Sequence, residues 1–214
     1  MEDSYKHQGL RNGLINELRL ENAFSEDVLK AMSQVPRHYF LDSALAELAY
    51  QNRALPIGLN QTISHPSTVA AQSTLLKVKK GNKVLEIGTG CGYQTAVLAE
   101  MGLEVYSIER LKELHLKAKK VLNKLKHRVH LSFGDGFKGF PTLAPFHGIV
   151  VTCGAPFIPQ ELLKQLIVGG VMIIPVGDNY GSQTMKRITR LSENDFQEEN
   201  FGEFKFVPML EKRL

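Results

Sequence analysis

Residues 83–109 read KVLEIGTGCGYQTAVLAEMGLEVYSIE, and few folds accommodate that order. The short apolar run Val84, Leu85, Ile87 has the composition of a buried strand. Gly88, Gly90 and Gly92 follow at alternate positions, and a helical stretch over 94–101 carries Ala96, Val97 and Leu98 before Gly102 stops it. A second apolar run, 105–108, ends on the acid Glu109, 21 positions after Gly88. A strand, a glycine loop, a helix and a second strand closing on a carboxylate form the unit that holds a nucleoside ribose in open parallel α/β sheets. Glycines at the loop let the backbone turn sharply and bring a ligand against main-chain N–H groups.

The nucleoside is narrowed by what the loop lacks. A dinucleotide fingerprint, G-x-G-x-x-G, requires glycine at 93, where Tyr93 stands and the glycine falls early at 92. No G-x-x-x-x-G-K-[ST] loop is present to hold a triphosphate. Glu86, just before the loop, would repel a pyrophosphate but suits a ligand bearing an ammonium and a sulfonium. Acid-x-G-x-G-x-G resembles the first motif of class I S-adenosylmethionine-dependent methyltransferases. The resemblance implies S-adenosyl-L-methionine as cofactor, S-adenosyl-L-homocysteine as its product, and no metal. The plainer alternative is that these are only the glycines of a tight turn between strand and helix.

Apolar periodicity lays out the rest of the chain. Leu10, Leu14 and Leu18 predict an amphipathic helix over 8–20. Ser25 is placed to cap a second helix that Pro36 ends, and Leu45, Leu48 and Ala49 suggest a third within 37–50. The stretch ALPIGLNQTISHP reads as a packed loop, with Pro66 opening a helix that reaches Leu76. After the glycine unit come a lysine-rich helix over 111–126, strands at 129–133, 149–152 and 171–176, and a helix over 159–166 stopped by Gly169 and Gly170. Apolar and basic residues alternate over 185–191, a turn follows at 192–195, and 204–210 is again strand-like, so the tail predicts an antiparallel pair. The expected fold is α/β: a Rossmann-like, doubly wound, mostly parallel sheet with helices on both faces and a C-terminal antiparallel strand pair. The 214 residues are expected to form one domain: N-terminal helices and substrate loop over 1–80, cofactor core over 81–177, and hairpin over 178–214.

Bulk properties exclude more than they assign. No apolar run reaches membrane-spanning length, and the polar start MEDSYKHQ lacks the apolar region of a signal peptide. Two cysteines, Cys91 and Cys153, give neither a disulfide framework nor metal-ligand spacing, so a cytoplasmic protein without metal is expected. A net charge of +4 permits nucleic-acid binding, but the lysines cluster on one helix whose solvated face explains them. The expected state is a monomer with no membrane or nucleic-acid partner.

Three acids at strand ends are candidate cofactor ligands: Glu86 for the amino-acid end, Glu109 for the ribose hydroxyls and Asp135 for the adenine amine. The candidate cofactor site adds Gly88, Thr89, Gly90, Gly92 and Gly136. Asp135 between two glycines also suits a turn, and Glu86 also suits a cap for loop N–H groups. No general base is evident near these loops. An acceptor already anionic at neutral pH, a carboxylate with a pKa of about 4, needs none.

The loop LPIGLNQTISHP closely resembles the signature of protein-L-isoaspartate O-methyltransferases. Val35-Pro36-Arg37, LEIGTGCGYQTAVLA, Gly134-Asp135-Gly136, Pro175-Val176-Gly177 and Phe206-Val207-Pro208 follow that family's order along nearly the whole chain. The resemblance implies methyl esterification of the free α-carboxylate of L-isoaspartyl residues in damaged peptides and proteins, with repair through a succinimide. It identifies Ser64 as the active-site residue, donating its hydroxyl to the acceptor carboxylate, with Thr62, Ile63 and His65 beside it as substrate-binding positions. Ser64 also suits a cap for the helix opening at Pro66. A methyltransferase for another small carboxylate or for RNA, or a non-catalytic adenosine-ligand sensor, are the competing readings.

Overall fold

The strand Lys83–Ile87 sits where the chain reverses its order of strands. The structure is a computed structural model describing residues 2–178 and 181–211; residues 179–180 and 212–214 of the expected tail lie outside the described residues. In chain order the elements are α1 (Tyr5–Leu20), α2 (Glu26–Gln34), β1 (Leu55–Gly58), β2 (Gln61–Ile63), α3 (Pro66–Leu75), β3 (Lys83–Ile87), α4 (Tyr93–Glu100) and β4 (Glu104–Glu109). They continue with α5 (Lys112–Lys124), β5 (His130–Phe133), β6 (Phe146–Val151), α6 (Gln160–Leu163), β7 (Leu166–Gly177), β8 (Gln183–Arg190) and β9 (Phe196–Phe204). The main sheet runs β5-β4-β3-β6-β7-β8-β9, parallel from β5 to β7 and antiparallel across β7, β8 and β9. The fold is the α/β, mostly parallel sheet with an antiparallel C-terminal pair that the sequence predicts. Sheet order reverses at β3, and crevices at such switch points are where open α/β sheets bind ligands.

Strand alternation explains both hydrophobic layers. Leu85 and Ile87 point the same way as Tyr106, Ile108, Ile149 and Val151, and Leu162 and Leu163 of α6 pack on them. Val84, Val105 and Val150 point the other way, onto Leu76 and Leu98 at the ends of α3 and α4. Helices α1 and α2 add Leu14, Leu18, Val28 and Met32 to a further cluster against α4 and α5. Among the described residues no helix is long and apolar enough to cross a membrane.

Four expectations need correction. Segment 37–50 forms two 3-10 turns, Arg37–Phe40 and Ser43–Leu48, because the Asp42 side chain accepts from Ala44 N at 3.0 Å and restarts the chain there. The expected loop at 55–63 is a small antiparallel hairpin, with Leu55 opposite Ile63. Gly169 and Gly170 stop no helix: α6 ends at Leu163, and β7 begins at Leu166 and runs through both glycines. The last strand is Phe196–Phe204 rather than 204–210, and it pairs through charge: Glu199 accepts from Arg187 at 2.7 Å, and Lys186 reaches Glu198. β9 is a sheet edge, where charged side chains discourage pairing with other chains.

Candidate active site

A cleft of about 770 Å³ opens over the carboxyl ends of β3, β4 and β6. Its base is the glycine loop. Gly88 holds φ at 97°, and a Cβ there would lie 2.6 Å from Thr152 Oγ1, so only glycine keeps this surface open. The Thr152 hydroxyl closes the strand end by donating to the Gly88 carbonyl at 2.6 Å. Gly90 N donates to Glu109 Oε2 at 2.7 Å, and Leu111 N donates to Oε1 at 2.9 Å. Glu109 therefore anchors the glycine loop to the end of β4, while each oxygen keeps a lone pair for the cleft.

The opposite wall comes from the hairpin and the turn after it. Thr62, Ile63 and Ser64 face the same cleft as Gly88, Thr89, Gly90, Glu109 and Gly136. His65 lies outside it, in an adjoining recess shared with Thr62 and Ser64, and it precedes α3 without a side-chain capping bond. The backbone, not a Ser64 cap, starts α3: Val69 N donates to the His65 carbonyl at 3.1 Å. Burial, and then the charges of Arg37 and Arg53, push the His65 pKa down, which keeps the ring neutral at pH 7.

Three expected cofactor ligands do not reach the cleft. Glu86 is wholly buried, because as the even residue of β3 it points with Val84 towards α4. Thr95 and Ser107 donate to its Oε2 at 2.5 and 2.6 Å, and its Oε1 has no partner. Burial is the largest influence on Glu86 and carries its pKa up to about 7, against the lowering effect of the two hydroxyls. Asp135 lies outside the cleft lining and gives one oxygen to a turn, its Oδ1 accepting from Phe137 N at 3.0 Å. Gly92 packs away from the cleft: with φ at 92° it starts α4, and a Cβ would meet Leu122 Cδ1 at 3.0 Å.

Several wall residues carry no motif of their own. Thr152 is the first polar residue after the apolar run of β6, a signal available in the sequence. Val207, Pro208 and Met209 close one side, held by Gly154 N donating to the Val207 carbonyl at 2.8 Å and Met209 N to the Gly154 carbonyl at 2.7 Å. Burial pushes the thiols of Cys91 and Cys153 up to about 11 and about 12, which removes them as nucleophiles at neutral pH. No histidine lines the cleft among the described residues. The cleft offers polar groups that can place ligands: the Glu109 carboxylate on the glycine-loop side and the Ser64 turn beside it.

A family model described as protein-L-isoaspartate(D-aspartate) O-methyltransferase matches residues 9–214. The chain belongs to that family. A protein-L-isoaspartate O-methyltransferase of Flavobacterium psychrophilum is 55% identical over 100% of both chains. The Salinibacter ruber protein of the same name is 47% identical, covering 97% of this chain and 94% of its own. A solved structure named protein-L-isoaspartate O-methyltransferase superposes with a TM-score of 0.85 at 27% identity, over 92% of this chain and 65% of that one. A Plasmodium falciparum crystal structure assigned to the same enzyme, in complex with S-adenosyl-L-homocysteine, shares the fold with a TM-score of 0.81 at 23% identity, covering 92% and 97%.

Proposed function

We propose that this cleft holds S-adenosyl-L-methionine against the glycine loop and the free α-carboxylate of an L-isoaspartyl residue against Ser64. The protein is a protein-L-isoaspartate O-methyltransferase, esterifying isoaspartyl residues in damaged peptides and proteins. When bound, the sulfonium supplies an electrophilic methyl group. An acceptor carboxylate oxygen forms the new O–CH₃ bond as the S–CH₃ bond breaks, and the electron pair of that bond stays on sulfur. No proton moves, so the step needs no base.

The protein's contribution is placement. Glu109, tied to the glycine loop through Gly90 N, offers carboxylate lone pairs that can accept from ribose hydroxyls. Gly136 keeps the floor flat next to Ile87, since a Cβ would come within 2.4 Å of Ile87 Cγ2, and a flat apolar floor suits an adenine ring. Ser64 donates to the acceptor and aims it for in-line attack, an alignment effect that accounts for large rate gains without acid–base help. The observation that carries this reading is that the Ser64 turn and the Gly90–Glu109 pair line a single cleft. Action as a monomer without nucleic acid is part of the same reading. A cytoplasmic setting is supported by the two free cysteines.

Calorimetry with S-adenosyl-L-homocysteine tests the two halves separately. Glu109→Ala is expected to weaken binding at least about tenfold, the effect of losing a hydrogen-bonded charge. Ser64→Ala is expected to leave the affinity within about twofold, since Ser64 serves the acceptor. Equal loss in both variants would contradict the division of roles.

A further inference from the structure

Arg37 is wholly buried, yet no carboxylate pairs with it among the described residues. Its guanidinium is held by neutral groups. Nε donates to the Ala49 carbonyl at 2.8 Å, Nη2 donates to the Ser64 carbonyl at 2.7 Å, and a longer bond reaches the Arg53 carbonyl at 3.4 Å. The charge also stacks on Tyr93, 4.7 Å from the ring centroid. Nη1 is buried with no partner at all. Ser64 and Tyr93 both line the cleft, so this cation sits one residue behind the acceptor wall.

An isolated buried cation is expensive to maintain, and evolution normally pairs or neutralises it. Carbonyl dipoles and an aromatic face compensate only part of the charge, and burial accordingly draws the guanidinium pKa down. A countercharge is missing, and the cleft side of Ser64 is where an anion can supply it. Arg53, the other nearby arginine, is exposed, so water screens it as it does not screen Arg37. Neutral His65 adds no competing charge at pH 7.

We propose that Arg37 is a positioning residue for the acceptor: it fixes the Ser64 peptide, and its uncompensated charge behind that peptide makes the acceptor position select a carboxylate over a neutral group. This rests on the proposed placement of the acceptor at Ser64. It adds a source of specificity that acts through the Ser64 peptide without touching substrate.

The test uses the full chain saturated with S-adenosyl-L-homocysteine and two peptides that differ only at the acceptor, one isoaspartyl and one with the α-carboxylate replaced by carboxamide. Calorimetry gives the ratio of their affinities. Wild type is expected to favour the carboxylate, and Arg37→Met is expected to shrink that ratio at least about tenfold while S-adenosyl-L-homocysteine binding stays within about twofold. Arg37→Lys, which keeps the charge and loses the fork, is expected to hold the ratio within about threefold of wild type. General structural damage would weaken both peptides alike and leave the ratio unmoved, so an unchanged ratio in Arg37→Met overturns the role of Arg37 alone. Should Arg37→Met fail to fold, Arg37→Lys decides: a collapsed ratio with the charge retained overturns the proposal. A wild type with no carboxylate preference overturns both this proposal and the acceptor placement beneath it.

Discussion

Replacing Glu86 with Gln should make stability less dependent on pH, in a direction the buried geometry dictates. Glu86 is 0% exposed, its Oε2 accepts from Thr95 and Ser107, and its Oε1 accepts nothing. Desolvation therefore dominates, and a carboxyl with an ordinary value of 4.5 is carried to about 7 in the fold. The folded protein holds this proton more tightly than the unfolded chain does. The resulting stabilisation is complete below about pH 4.5 and is lost as the pH rises through about 7. Each pH unit in that window is worth ~1.4 kcal/mol, so wild type should lose about 2–3 kcal/mol between pH 5 and pH 8 on account of this one group. Glutamine is nearly isosteric and cannot ionise, and the Thr95 and Ser107 hydroxyls can turn to meet its amide. Urea unfolding followed by far-ultraviolet circular dichroism at pH 5, 6, 7 and 8 gives the comparison, provided the m-value is unchanged. Relative to wild type, Glu86→Gln should gain about 2–3 kcal/mol across that range. Parallel pH profiles for the two proteins would refute the reasoning and show that Glu86 ionises normally in the fold.

Two further outcomes follow from the cleft. Gly88→Ala should cost about 1–3 kcal/mol of stability from backbone strain alone, because φ is 97° there, and should abolish measurable cofactor binding as the new Cβ pushes on Thr152; thermal unfolding and calorimetry read the two effects. Ser64→Ala should lower kcat about 10- to 100-fold, the worth of one hydrogen bond to a charged group, in a steady-state methyl-transfer assay. Full activity would remove Ser64 from the acceptor site.

The parallel core was legible in the sequence because its central strands are buried on both faces and so read as mostly apolar runs. Val84, Leu85 and Ile87 signal a strand without any help from tertiary contacts. The elements that escaped are those whose stability is tertiary or electrostatic. β9 carries Glu198, Glu199 and Glu203, whose partners Lys186, Arg187 and Thr184 lie on β8, so no apolar period marks it. The β1–β2 hairpin is hidden by Pro56 and Gly58, which read as loop although Leu55 and Ile63 are buried in register. At the site, the glycine loop, Glu109 and the Ser64 turn that the sequence singles out line one crevice. The sequence could not tell that Glu86 faces away from that crevice, because a one-residue step along a strand reverses the side chain. Nor could it tell that one oxygen of Asp135 serves a turn, a role that the same Gly-Asp-Gly triplet serves equally well. Arg37 gave no sign of its burial, since arginine in a short turn ordinarily reaches solvent.

Methyl transfer to one peptide pair decides the central claim. Tritiated S-adenosyl-L-methionine is supplied with an isoaspartyl peptide or with its aspartyl twin of identical sequence, and incorporated label is tested for release in mild base. Base-labile label on the isoaspartyl peptide alone is the expected result. Equal labelling of the twins, or label that survives base, would contradict it.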